Sequence, residues 1–334
     1  MGVKHAPSKP VFLVTHPRAI STAFERVFLT REHDIVCIHE PFSDAYHWGP
    51  EYLSERYRDV EKLRAENGYE DYTYHTALKI INDANTHGKR VFIKDMAKCL
   101  MPLHGQTPRI APSLRSQNIT RHGTKVSWEE LDIPNPTVIP PEVLSTFHFA
   151  FLIRNPRRSI PSLYRCSIPP MSLTTGWHGF KSSDAGYKEL RRLFDYLKSI
   201  KQIGSDSSNE ICIVDADDLL EYPQKTIESF CSSVGIPFDA DSLVWDTEND
   251  HKRAQDLFRN WAPFHDTALK STSIMTQPPK VTTPSEDLAA WAKEFGKEAS
   301  ILIQTNVEDN MDDFLYLKQF AISPRKAGET KASV

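Results

Sequence analysis

Five short apolar runs punctuate the chain, at residues 11–15, 35–38, 90–93, 147–153 and 211–214. Each run is continuously apolar rather than alternating. That pattern belongs to strands covered on both faces, which occur in parallel sheets. The segments between them carry helical spacing: 21–31, 52–66, 75–86, 159–166, 187–203, 223–234 and 285–303. Ser21 and Thr22 can cap the first. Pro223 stands at a first-turn position of the sixth, and Gly235 follows its end. Strands that alternate with helices predict an α/β fold with a central, mostly parallel sheet flanked by helices.

The chain has 334 residues. At about 150 residues per domain that allows two units. One large α/β domain with insertions also fits and is the reading taken, over residues 10–320, with a flexible N-terminus at 1–9 and a flexible tail at 321–334. Residues 101–141 interrupt the rhythm with seven prolines and read as an insertion or lid. Residues 262–284 are rich in Pro, Thr and Ser. Charged residues make up 25% and hydrophobic residues 40%, which excludes a disordered, collagenous or coiled-coil chain. Forty Lys and Arg face 44 Asp and Glu, a net charge of −4, so no bulk basic surface points to nucleic acid. The five cysteines are scattered, with no CxxC pair, which argues against a disulfide framework and a zinc site. No apolar stretch approaches the ~20 residues of a membrane span, and no signal-peptide core opens the chain, so a cytoplasmic protein is expected.

In a parallel sheet, ligands bind beyond the carboxyl ends of the strands. Thr15-His16-Pro17-Arg18-Ala19-Ile20-Ser21-Thr22 follows the first run and His39-Glu40-Pro41-Phe42 the second. Lys94-Asp95-Met96 follows the third, Arg154-Asn155-Pro156 the fourth, and Asp215-Ala216-Asp217-Asp218 the fifth. Cationic or imidazole side chains gather at four of these five ends, although the chain is acidic overall. Their convergence predicts a pocket for a multiply charged anion. The first loop can present backbone N–H groups and a helix N-terminus to that anion, or Ser21 and Thr22 can merely cap the helix. It is not a Walker loop, because GxxxxGK[ST] is absent and no Gly occurs between positions 3 and 48. No magnesium ligand is evident and no metal is expected. Arg154 and Ser162, eight residues apart, can close on one phosphate by guanidinium and hydroxyl. Arg157 and Arg158 read as a solvated face.

The pair TxPRxxST after the first run and IRNPxxxxxSxY after the fourth resembles the sulfotransferases that use 3′-phosphoadenosine 5′-phosphosulfate (PAPS). The strings HPR, STAFERVF and HEPF are similar to those of a divergent fungal branch. The resemblance covers residues 10–45 and 90–240 and implies a P-loop NTPase-like sulfotransferase fold. It implies that Arg18, Ala19, Ile20, Ser21 and Thr22 hold the 5′-phosphosulfate, and that Arg154 and Ser162 hold the 3′-phosphate. Lys94 matches a strand-end Lys that faces the sulfuryl group, so Arg18 and Lys94 would stabilise charge. Three positions depart from the family: Ile20 replaces a Gly, Ala23 a Trp that stacks on adenine, and Met96 a His that serves as base. Glu40 is the first replacement base, with His39 and Asp95 as alternatives. The implied partner is a small-molecule hydroxyl acceptor in secondary metabolism, with simple transfer or sulfation-assisted elimination or cyclisation as the net reaction. Its pocket would be lined by Phe42, Tyr46, His47 and Trp48, the 101–141 insertion, and residues 258–264 with Trp261. A phosphotransferase or NTPase, and a nucleotide-binding pseudoenzyme, are the alternatives.

Overall fold

A computed structural model describes residues 9–324 other than 52, 58–61, 63, 64, 67, 87, 104, 116–119, 122, 123, 126–133, 206, 208, 279 and 280. Five strands form the main sheet: β1 (Val11–Thr15), β2 (Ile35–His39), β3 (Arg90–Met96), β4 (His148–Ile153) and β5 (Ile213–Asp215). Their order is β2-β3-β1-β4-β5, and every neighbouring pair is parallel. The connections run to one side from β1 and to the other from β4. The crevice between these two strand ends is therefore the switch point where α/β sheets bind ligands. Thr120–Arg121 and Thr124–Lys125 form a separate antiparallel pair.

Both faces of the sheet are buried, which explains the continuous apolar runs. Phe12 and Val14 enter one core layer, while Val11 and Leu13 enter the other. Helix α1 (Ser21–Leu29) covers the second layer with Phe24, Val27 and Phe28, and Phe28 stacks on Phe92 at 4.3 Å. Helices α2 (Pro41–His47) and α3 (Tyr74–Asn85) cover the first layer, and Thr73 closes a capping box at the start of α3. Beyond β4 come α4 (Pro156–Cys166) and α5 (Tyr187–Ser199), and beyond β5 come α6 (Ala216–Glu221) and α7 (Pro223–Val234). Helix α7 has Pro at its first turn and a left-handed Gly235 at its C-cap, as its sequence predicts.

The C-terminal third departs from expectation. The single helix predicted over 285–303 is two, α10 (Pro284–Phe295) and α11 (Lys297–Lys318), broken at Gly296 with φ 90°. Helices α8 (Glu248–Phe258) and α9 (Ala262–Lys270) were not anticipated, and α9 lies in the stretch read as Pro/Thr/Ser-rich. Strand β3 runs on to Met96, so Lys94 and Asp95 are strand residues rather than loop residues. Of the helix expected at 52–66, residues 53–57 are not helical, Lys62, Ala65 and Glu66 are, and the other seven residues lie outside the described ones. Of the 101–141 stretch, Met101, Leu103, Ile110, Leu114, Val138 and Ile139 are buried in the core. The Val138 N–H donates to Leu100 O at 2.9 Å and ties the stretch to the end of β3. These residues belong to the core, while residues 104, 116–119, 122, 123 and 126–133 of the stretch lie outside the described residues. No helix among the described residues is long and apolar enough to cross a membrane.

Candidate active site

The carboxyl ends of β1 and β4 open into a cavity of about 510 Å³. Four described non-glycine residues have positive φ, and three of them border it: Arg18 (65°), Ile20 (58°) and Glu40 (46°). Such conformations cost on the order of 1–3 kcal/mol each and persist where surrounding structure imposes them. Ile20 is the N-cap of α1 and makes no side-chain cap hydrogen bond. Ser21 and Thr22 therefore do not cap the helix. The first N–H groups of α1 have no side-chain acceptor, and Arg18, Ser21, Thr22 and Ala23 line the cavity beside them. Ala19 is fully buried in the core behind the loop, and its side chain does not line the cavity.

Arg154 and Ser162 meet this loop, as the sequence predicts. Arg18 Nε donates to Ser162 Oγ at 3.0 Å, and its Nη1 donates to Phe264 O at 2.7 Å. Arg154 Nη1 donates to Arg18 O at 3.0 Å. Arg154 Nε is buried with no partner. Burial lowers the Arg154 pKa, although nearby Asp217 opposes this. A guanidinium with a buried, unpaired N–H at a cavity wall is a place for an anion. The arrangement rests on His16. Its Nε2 accepts the Arg154 backbone N–H at 3.0 Å, its Nδ1 lies 3.0 Å from Pro17 O, and its ring stacks on Tyr187 at 3.9 Å. Burial pushes the His16 pKa down to about 3, so the ring stays neutral and keeps one acceptor nitrogen. Arg157 and Arg158 do not simply face solvent: they reach Asp287 of α10, Arg157 Nε at 2.5 Å.

A buried charge cluster lies beneath the other wall. Lys94 Nζ bonds to Glu40 Oε1 and lies 3.8 Å from Glu25 Oε2. Burial alone would lower the Lys94 pKa, but Glu40 and Glu25 hold it above its ordinary value. Lys94 is fully buried behind Glu40 and does not line the cavity, which corrects the expectation that it faces a bound group directly. Its ammonium is held by two carboxylates instead. Glu40 does line the cavity. Asp95 is occupied elsewhere. Its carboxylate accepts the Phe42 and Ser43 N–H groups at 2.7 and 3.1 Å and so anchors the N-terminus of α2. His39 also turns inward, its Nδ1 2.7 Å from Glu25 Oε2 and its Nε2 3.2 Å from His265 Nε2. One donor atom each from His39, Glu40 and His265 lies within 4.8 Å of the others, the spacing of a metal group. The Lys94 ammonium on the same Glu40 carboxylate opposes a cation there.

The far half of the cavity is apolar and aromatic. Glu40, Ser43 and His47 form one stripe along α2, facing Met96, Trp177, Trp261 and Phe264. Of the four α2 residues expected on this wall, only His47 lines it. Phe42 and Tyr46 join the core, and Trp48 stacks on Tyr57 at 3.9 Å. His47 Nδ1 lies 2.9 Å from Ser54 Oγ, and burial holds its pKa well below the ordinary value. Sequence reasoning missed His16, Trp177 and His265. His16 carried a signal, since it directly follows β1. His265 carried none, because it meets Thr22 across 243 residues.

No family model matches the chain. It is 29% identical over 190 residues to the sulfotransferase ppzF of Metarhizium rileyi. It is 25% identical over 247 residues to the sulfotransferase ppzF of Metarhizium majus. In sequence the chain is thus similar to these two fungal sulfotransferases. The first match spans 55% of this chain and 55% of its sulfotransferase relative, and the second spans 71% of each. The sulfotransferase domain from the Synechococcus PCC 7002 olefin synthase aligns over 88% of this chain and 97% of that one, at 16% identity and a TM-score of 0.43.

Proposed function

We propose that the protein transfers a sulfuryl group from PAPS to a hydroxyl of a small molecule in the cytoplasm, as a step of secondary metabolism. The observation that carries the reading is the Arg18 Nε–Ser162 Oγ bond. It joins the two phosphate-type elements, which are 144 residues apart in sequence, at one cavity. The residues fit the donor. The left-handed loop and uncapped N-terminus of α1, with Arg18, Ser21 and Thr22, suit the 5′-phosphosulfate. Arg154, with its unpaired Nε, and Ser162 suit the 3′-phosphate. PAPS supplies the activated sulfuryl group. The protein's own part is alignment and positive electrostatics.

Glu40 is the base in this reading. It alone of Glu40, His39 and Asp95 lines the cavity. It takes the acceptor's proton on its carboxylate, while Lys94 behind it keeps that carboxylate in place. The acceptor lies along the stripe of Glu40, Ser43 and His47, with Trp177, Trp261 and Phe264 opposite. Such walls suit a small, partly aromatic molecule with a free hydroxyl. Ala23, which lines the cavity, offers no ring to stack on adenine.

Calorimetric titration with adenosine 3′,5′-bisphosphate, beside ATP with magnesium, tests the donor class. Micromolar binding of the bisphosphate and weak binding of ATP are expected. ATP binding with no bisphosphate binding would overturn the assignment in favour of an NTPase.

A further inference from the structure

Beneath the cavity runs a buried hydrogen-bond chain that the transfer step does not use. Thr22 Oγ1 lies 2.8 Å from His265 Nδ1, His265 Nε2 lies 3.2 Å from His39 Nε2, and His39 Nδ1 lies 2.7 Å from Glu25 Oε2. A neutral imidazole donates from one nitrogen and accepts at the other. Both rings are engaged at both nitrogens, so the chain can run in only two directions. With Glu25 ionised, His39 Nδ1–H donates to it, His265 Nε2–H donates to His39, and the Thr22 hydroxyl donates to His265. With Glu25 protonated on Oε2, every link reverses. Thr22 Oγ1 then accepts from His265 Nδ1–H, and its own proton is free to donate into the loop at the start of α1.

We propose that the protonation of Glu25 sets the direction of this chain, and so decides whether Thr22 offers a proton or a lone pair to an anion in the loop. An anion favours the donor, so nucleotide binding takes up one proton from solvent onto Glu25. The inference rests on the reading of Thr22 as part of the 5′ site. Glu25 is fully buried on α1, and its Oε1 has no partner. The groups facing it are Cys37 and His39 of β2, Lys94 of β3, Glu40 at the head of α2 beyond Lys94, and His265 of α9 beyond His39. Lys94 favours the carboxylate, and burial opposes it. The balance leaves the Glu25 pKa near 7, where a small difference between bound and free states moves the proton. Burial lowers the His39 pKa to about 3 and holds that of His265 well below its ordinary value, so the rings stay neutral relays. The Cys37 thiol is pushed up and stays neutral as well.

The test is calorimetric titration of the full chain with adenosine 3′,5′-bisphosphate, in buffers of different ionisation enthalpy. Between pH 8.5 and 6.5 the affinity of the wild type should rise about sixfold, most of the roughly tenfold that one hydrogen bond is worth. Roughly half a proton should be taken up per nucleotide near pH 7.5. Glu25→Gln should abolish the uptake. Thr22→Val should abolish it too, although Glu25 is intact, because the chain no longer reports to the loop. Uptake that persists in Thr22→Val would show a direct charge effect of Glu25 and overturn the chain. Binding with no proton uptake in the wild type would overturn it as well. Absence of bisphosphate binding at every pH would overturn the donor reading, and this inference with it.

Discussion

The backbone N–H of Arg154 donates to Nε2 of His16 across 138 residues of sequence. This bond pins the loop after β4 to the loop after β1, the two elements that would each hold a phosphate. His16 can accept because burial keeps it neutral, and Tyr187 fixes its ring by stacking. The two arginines of the site, Arg18 and Arg154, are thereby held together without a carboxylate bonded between them.

Replacing His16 by Ala orphans a backbone N–H and empties a packed ring site. A stability loss on the order of 3 kcal/mol is expected in urea unfolding. The variant should also bind adenosine 3′,5′-bisphosphate about tenfold more weakly. Stability loss with unchanged affinity would show that the ring merely packs.

Arg154→Ala removes a charge-assisted contact to phosphate. Bisphosphate affinity should fall by more than ~2 kcal/mol, about thirtyfold. Calorimetry that returns the wild-type affinity would remove Arg154 from the 3′-phosphate site.

Glu40→Gln separates chemistry from binding. Sulfuryl transfer from radiolabelled donor should slow by roughly 10²–10⁴-fold. Bisphosphate affinity should change little. Full turnover in this variant would rule out Glu40 as the base.

Ile20 holds φ 58°, a conformation that a β-branched residue resists. Gly relieves that strain but loses the half-buried side chain, while Ala keeps much of the strain and loses the contact too. Ile20→Gly should therefore be the more stable of the two, by roughly 1 kcal/mol. Denaturant midpoints in the reverse order would mean that the loop is unstrained.

The Glu25 carboxyl has a pKa near 7 in the folded chain, because burial outweighs Lys94, against an ordinary value of 4.5. A group raised on folding adds stability that is fully present below its ordinary pKa and is lost as pH rises through its folded value. The wild type should thus lose stability relative to Glu25→Gln between pH 4.5 and about 7. Parallel pH–stability curves for the two proteins would contradict this.

The strand–helix alternation and its parallel sheet were legible because burial on both faces leaves an unbroken apolar run, readable one residue at a time. So was the gathering of Arg18, Ser21, Thr22, Glu40, Arg154 and Ser162 at one cavity, because strand ends converge in such a sheet whatever lies between them. Local sequence also carried the start and stop of α7, through Pro223 and Gly235. It could not show that Lys94 is enclosed by Glu40 and Glu25, or that Asp95 serves the start of α2. Those outcomes depend on which side chains arrive from other elements. Nor could it show the Thr22–His265–His39–Glu25 chain, whose links cross 243, 226 and 14 residues. Local propensity acts over a few residues, whereas hydrogen bonds and charge act over a few ångströms, and only the packed structure turns the one into the other.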